Sequence, residues 1–453
     1  MQNHLIQKYN VPGPRYTSYP TVPYWDLTSF SVEKWIETLK KSFLESNQKE
    51  GISLYLHLPF CESLCTFCAC HKRITKQHNV ETPYIQAVLK EWKLYVDLLP
   101  EKPVIREIHL GGGTPSFFSP ENLKFLLENI ISLAEIHPEK EFSFEGHPNN
   151  TTREHLQTLY NLGFRRVSFG VQDYDAEVQK AIHRIQPLEN VKNVTEIARE
   201  IGYESVSHDL VFGLPFQSLE KVLNTIKITE SLDPDRIAFY SYAHVPWIKG
   251  VGQRGFKDED LPSGEEKREL YEKGKESLEK MGYLEIGMDH FSLQTDSLYQ
   301  SMINKKIHRN FMGYTSSSTQ VMIGLGVSSI SDSWYAFAQN VKTIEEYYQK
   351  LEKNELPVFK GHILNEEDLF IRRHILNLMC LLQTQWENDE INIQYPEILE
   401  RLKEFEADGL LILNENSIVV KEEGRSFIRN ICMAFDLRMM RNAPQTKLFS
   451  MTV

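Results

Sequence analysis

The chain has 453 residues, 41% hydrophobic, 25% charged and 11% aromatic, which is the composition of a soluble globular enzyme rather than a disordered chain. That length exceeds one ordinary core and fits a large α/β domain with one or two additions. A net charge of −12 excludes a general nucleic-acid binder, which needs a basic surface to displace counterions, but leaves room for a local basic pocket around an anionic ligand.

The N-terminus, MQNHLIQKYNVPGPRYTSYPT, lacks the basic-then-apolar pattern of a signal peptide. No apolar run approaches the roughly 18 to 20 residues that span a bilayer. Six cysteines in such a chain read as reduced thiols, so a cytoplasmic location is expected. Residues 1–35 form an irregular lead rich in Tyr, Pro and Thr that cannot fold alone and should lie across another part of the molecule.

From about residue 50, apolar β-branched runs alternate with helical periods. Strands are predicted at 52–60, 106–113, 141–148, 165–173, 205–215 and 236–243. Helices are predicted at 80–99, 119–135, 151–163, 188–202 and 218–232, with Ser119 as an N-cap and Gly163 as a C-cap. Six β–α units with strands too apolar to face water imply a parallel sheet covered by helices, as a closed barrel, a partial barrel or an open doubly wound sheet. Cys61, the GGGT run, Glu145, Gln172, Asp209 and Ala243 all fall at or just past the C-terminal ends of successive strands, the edge where parallel α/β folds place their active sites. Beyond residue 260, SGEEKRELYEKGKESLEKMG (263–282) reads as an exposed helix. From about 365 a separate module combines helices at 365–382 and 396–411 with a two-stranded wing. Its acidic surface favours a lid or packing role over DNA binding.

Four of the six cysteines lie within CESLCTFCAC, residues 61–70, spaced C-x₃-C-x₂-C-x-C. Structural zinc sites pair two knuckles across a dozen or more residues, and no second knuckle exists here, since only Cys380 and Cys432 remain. A [4Fe–4S] cube accepts thiolates from one tight loop, and three ligands would leave one iron open for a cofactor. An iron–sulfur cluster therefore heads the readings, with zinc and unrelated thiols behind it. Cys380 and Cys432 read as buried small hydrophobes.

C-x₃-C-x₂-C after a first strand resembles the signature of the radical S-adenosylmethionine (SAM) superfamily. Further blocks extend the likeness: YNVPGPRYTSYPT (9–21), YLHLPFC (55–61), GGGTP (111–115), GVQD (170–173), GLP (213–215), YAH (242–244), GMDHF (287–291), HRNF (308–311) and RNICMAFD (429–436). Together they resemble the oxygen-independent coproporphyrinogen III oxidases. The related haem-chaperone branch usually lacks the N-terminal segment and carries an aromatic in place of Cys70. RYTSYPT, Cys70 and HRNF together favour the oxidases over that branch, and the acidic surface and cysteine spacing weigh against a zinc-dependent DNA-binding regulator.

The resemblance implies an α/β fold: a partial (β/α)6 TIM-like barrel of radical SAM type over residues 36–260. An N-terminal extension over the barrel mouth (1–35), a barrel-completing and connecting region (261–360) and a mainly helical, winged-helix-like C-terminal domain (361–453) would surround it. It implies one 4Fe–4S cluster held by Cys61, Cys65 and Cys68, with SAM on the fourth iron, and two SAM molecules in all. A deoxyadenosyl radical would take a hydrogen from a propionate β-carbon, and loss of CO₂ and one electron would leave a vinyl group. Two such events convert coproporphyrinogen III to protoporphyrinogen IX, with an electron donor for the cluster and a terminal acceptor. No nucleic acid or membrane is called for, and a monomer is the default.

By the same resemblance, Tyr55 contacts the first SAM and Phe67 packs an adenine. Gly112, Gly113 and Thr114 lie at the methionine end of SAM, and Glu145 faces the SAM cation. Gln172, Arg184 and Asp209 serve the second SAM, while Ala243 and Ile330 add backbone and apolar contacts. Arg15, His290, His308 and Arg309 are candidates for the substrate carboxylates, with Tyr16 and Tyr19 near the substrate. The chain departs from the family pattern at His147, and at Ser207 and His208 before Asp209.

Overall fold

A computed structural model describes residues 3–247, 253, 255–387, 395–442 and 448–452. The predicted strands form β1 (Ile52–Leu58), β2 (Val104–Gly112), β3 (Glu135–Gly146), β4 (Phe164–Gln172), β5 (Ser205–Phe212) and β6 (Arg236–Ser241). They lie side by side in chain order, each parallel to the next. β1 is buried along almost its whole length, as a strand covered on both faces must be. Helices Val32–Ser46 and Glu81–Leu98 bring Trp35, Leu39, Phe43 and Trp92 into the same core as Leu54, Leu56, Ile108 and Leu110.

The local signals hold where they are chemical. Ser119 Oγ accepts the Asn122 N–H at 3.2 Å and starts the helix Pro120–Ser132. Gly163, with φ +98°, follows the helix Arg153–Asn161 in the left-handed conformation that ends helices. The sheet then grows at both edges. Val321–Leu325 pairs parallel to β1, followed outward by antiparallel strands 330–332, 336–340 and 358–363. Beside β6 lie the antiparallel strands 290–292 and 284–287.

A flat sheet would spread six strand ends over about 24 Å at ~4.8 Å per strand. Residues at the ends of all six strands instead line one cavity, so the sheet curls around it as a partial barrel.

Several expectations need correction. β3 begins at Glu135 rather than 141, because its first residues pair with Val104 and Ile105 of β2. The helix Gly264–Lys280 is not exposed: Leu270, Tyr271 and Leu278 are buried, and a Cβ on Gly274 would lie 2.5 Å from the Phe239 ring. The wing has three strands, since Gln383–Gln385 joins the pair 411–414 and 417–420. The N-terminal lead contains a short helix, Asn3–Tyr9, docked on the C-terminal module where Tyr9 stacks on Phe405 at 5.0 Å. Cys380 and Cys432 are buried.

Candidate active site

After β1, residues Phe60–Cys61 pair with Arg73–Ile74 and close the loop that carries the four clustered cysteines. The glycine run at the end of β2 supports this loop. Gly113 N–H donates to Leu58 O at 2.8 Å and Thr114 N–H to Phe60 O at 2.9 Å. A Cβ on Gly113 would lie 2.5 Å from the Pro59 carbonyl carbon, so no other residue fits without moving the loop. Gly112, at φ +110°, lies against the His57 ring. Both glycines are thus required by the protein's own packing, independently of any cofactor approaching them.

The far side of the loop rests on the turn after the helix Ala176–Ala181. Thr66 N–H donates to Ile182 O at 2.9 Å, the Thr66 hydroxyl to Ala181 O at 3.0 Å, and His183 Nδ1 to Leu64 O at 2.8 Å. The same turn brings Arg184 Nη1 to 3.7 Å from Cys65 Sγ, while the Thr114 hydroxyl donates to Cys61 Sγ at 3.3 Å. Lys72 Nζ donates to the carbonyls of Cys68 and Cys70.

These elements enclose a cavity of about 730 Å³. Of the residues named from sequence, Cys61, Cys65, Phe67, Cys68, Gly112, Gly113, Thr114, Glu145, Gln172, Arg184, Asp209 and Ala243 line it, together with Cys70 and Arg15. Tyr55 stands behind that wall: its hydroxyl meets His57 Nδ1 at 3.1 Å and its ring stacks on His109. Ile330 packs in the apolar cluster of Trp25, Phe337 and Leu364 instead. Tyr16 and Tyr19 belong to the buried core of the C-terminal module, where Tyr16 OH donates to Asp436 at 3.0 Å.

The polar groups in the cavity are set apart by their surroundings. Burial disfavours the Glu145 carboxylate, yet the hydrogen bond and charge of His109 outweigh it and hold the carboxyl below its ordinary range. Its side chain is 48% exposed and lines the cavity. Asp209 behaves oppositely. Burial and the nearby Glu145 charge raise it to about 7, against a hydrogen bond from Ser168 at 2.8 Å. Gln172 has φ +71° at a register shift between β4 and β5, an uncommon backbone for a non-glycine residue. Arg184 Nη2 donates to Gly170 O at 2.7 Å and its buried Nε has no partner. A hydrogen bond from Cys70 pulls the Cys68 thiol down to about 6, whereas burial pushes Cys61 up to about 11. Burial also depresses His290 to about 3 and His308 to about 4, so these two candidates are neutral imidazoles rather than cations.

Sequence reasoning missed His109 and Gln253. His109 donates or accepts at Ser143 Oγ (2.8 Å) and approaches Glu145 Oε1 at 3.5 Å, which holds the carboxylate in place. Its only signal was its position two residues before the glycine run. Gln253 Nε2 donates to Phe67 O at 3.1 Å and Ala243 O at 2.9 Å, tying the cysteine loop to the end of β6. Nothing local marks it.

Comparison with known proteins places this geometry. Residues 55–228 match the model of the radical SAM superfamily. The oxygen-independent coproporphyrinogen III oxidase of Helicobacter pylori is 39% identical over 444 residues, covering 95% of each chain. The Escherichia coli K12 protein of that name is 35% identical over 446 residues, covering 97% of this chain and 96% of its own. The solved structure of E. coli coproporphyrinogen III oxidase (HemN), described as a radical SAM enzyme, superposes with a TM-score of 0.89 at 33% identity, covering 96% of this chain and 98% of that one. The cysteine loop, the curled parallel sheet and these full-length matches converge: the chain belongs to the oxygen-independent coproporphyrinogen III oxidases, a family of radical SAM enzymes.

Proposed function

We propose that this chain oxidatively decarboxylates two propionates of coproporphyrinogen III to vinyl groups without oxygen, using one 4Fe–4S cluster on Cys61, Cys65 and Cys68. The observation that carries the reading is the shared wall: all four of the loop's cysteines, the three proposed ligands among them, line the same cavity as Glu145, Arg184 and Asp209. The unpartnered Arg184 Nε and the ionised Glu145 offer opposite charges to the carboxylate and ammonium ends of a SAM molecule.

When bound, the cluster and SAM supply the radical chemistry. The chain's own residues hold and orient. Glu145, fixed by His109, presents a negative charge to a cation. Asp209, shared between protonated and ionised forms near neutrality, can donate or accept a hydrogen bond at a ribose hydroxyl. Phe67 offers an apolar face, fixed through its carbonyl by Gln253. His147 is held neutral at about 3 by burial and by Arg184, so this departure from the family pattern adds no charge beside the carboxylate-binding group. Two SAM molecules, the second on Gln172, Arg184 and Asp209, follow from the family resemblance; the four-part division of the chain follows its sequence pattern, and a monomer is the default state. Each vinyl group formed releases CO₂, one hydrogen atom to the radical and one further electron, so an electron donor and a terminal acceptor are required partners. Six free cysteines accord with the reducing cytoplasm.

The test is anaerobic turnover of coproporphyrinogen III with SAM and a reductant, comparing wild type with Cys70→Ala. CO₂ and divinyl product are expected from wild type, with iron and sulfide at about four each per chain in both proteins. Methionine without any vinyl product sinks the decarboxylase reading, and loss of iron in Cys70→Ala sinks the choice of ligands.

A further inference from the structure

Behind the ends of β5 and β6, the main cavity adjoins a smaller one of about 60 Å³, and Arg15 and Ser241 line both. Positive charge collects at this junction. Arg15 Nη1 pairs with Asp289 at 2.7 Å, and its Nη2 donates to Ser241 O at 2.9 Å. Lys267 reaches in from the helix Gly264–Lys280, its stem lying over Gly213 and its Nζ donating only to the Tyr242 carbonyl at 3.0 Å. Arg309 donates from Nη2 to the Arg15 carbonyl and lies over the Tyr314 ring at 4.5 Å. Arg309 is 8% exposed, and its Nε and Nη1 have no hydrogen-bond partner. Asp289 is engaged by Arg15, and neither Lys267 nor Arg309 pairs with any carboxylate among the described residues.

Buried guanidinium donors left unpaired are costly, and of the two carboxylates that line the smaller cavity Asp289 is taken by Arg15 and Glu285 by Lys275 and Arg425. Arg15 lines both cavities and Lys267 the smaller one, while Arg309 lines neither and stands behind Arg15, so a carboxylate arriving from the main cavity meets Arg15 first. We propose that Arg15, Lys267 and Arg309 form an anion subsite that takes a propionate carboxylate of the tetrapyrrole substrate, an assignment that rests on the function proposed above. Burial and the charges of Arg15 and Arg429 depress the Lys267 ammonium to about 8, against the opposing charge of Asp289. His290 and His308, named from sequence for this task, are replaced in it by Lys267, which no local motif announced.

The probe is coproporphyrin III, the stable fluorescent oxidised form of the substrate, titrated into reconstituted protein, with its tetramethyl ester as control. Lys267→Met and Arg309→Gln should each weaken binding on the order of tenfold to a hundredfold. Arg309→Lys should recover much of the loss, and the ester should bind weakly to every protein. If Arg309→Gln does not fold, Lys267→Met carries the test alone. Wild-type binding matched by both charge-removing variants overturns the subsite and leaves the proposed function standing. No binding to wild type overturns both. An ester that binds as tightly as the free acid, with acetate raising the wild-type melting temperature, shows that these cations hold a free anion and overturns the assignment to substrate.

Discussion

Asp209 and Glu145 are both carboxylates at strand ends, and the difference between them lies in one neighbour. Glu145 has His109 within reach, whereas the hydrogen bond Asp209 receives among the described residues is from the Ser168 hydroxyl, and it is raised from its ordinary 3.8 to about 7, chiefly by burial. An acid whose pKa is raised on folding favours the native state fully at low pH and loses that contribution as pH climbs through the native value. Asp209→Asn, which is permanently neutral, should therefore melt higher than wild type by a margin that opens between about pH 4 and about pH 8. A gain of about 2 °C at the alkaline end is expected. A margin that is constant with pH, measured by calorimetry of the cofactor-free protein, would show that Asp209 is not the titrating group. Residue identities at the strand ends were legible in the sequence because the β–α beat fixes which positions point out of the sheet. The protonation of each was not, because it depends on partners such as His109 and Ser143 that meet only across neighbouring strands.

At the level of elements, the cysteine loop is held by contacts along both of its sides. The motif C-x₃-C-x₂-C marks where it is, but its seat is built by Gly113 beneath and by the turn at 181–184 beside it. Gly113→Ala places a methyl group against the Pro59 carbonyl and has no flexible side chain to displace. Overpacking of this kind costs about 1 to 3 kcal/mol and should move the loop. The expected result is a lower denaturation midpoint together with reduced iron uptake on reconstitution; normal iron uptake would mean that the loop tolerates the shift. Elements with strong periodicity were read correctly, while those shaped by tertiary contacts were not. EIHPEKEF has a proline and four charges and no clean alternation, yet it runs as strand because β2 offers it a partner. The helix Gly264–Lys280 looked exposed because charges outnumber its apolar residues, but the few it has are those that pack.

The whole molecule is joined through its N-terminal lead. Arg429, in the C-terminal module, donates to the carbonyls of Gly13, Pro14, Met451 and Thr452, and so holds the lead beside Arg15 and the cavity. Burial and the neighbouring Arg15 charge depress its pKa to about 9, a sign of how far it is enclosed. Arg429→Ala leaves these carbonyls without their donor, at a cost of at least about 2 kcal/mol. Trypsin should then cut after Lys8 and Arg15 in the variant well before it cuts wild type, with the barrel fragment surviving. Equal resistance of the two proteins would show that the lead is held by its aromatic contacts alone. The lead was expected to lie over the barrel mouth, but that residues of the C-terminal module would hold it there had no signal in the sequence.

The pairing of Pro12 with Met451, and of the Thr452 N–H with Val11 O at 2.8 Å, also dictates an order of events during synthesis. Residues 3–19 leave the ribosome long before their seat, which is built from residues between Phe370 and Leu437. The sheet from β1 to β6 can be complete while that seat does not yet exist. Throughout this interval the wall of the cavity lacks Arg15. The lead is made before its seat yet can settle only after it, and its arrival adds Arg15 to the cavity wall.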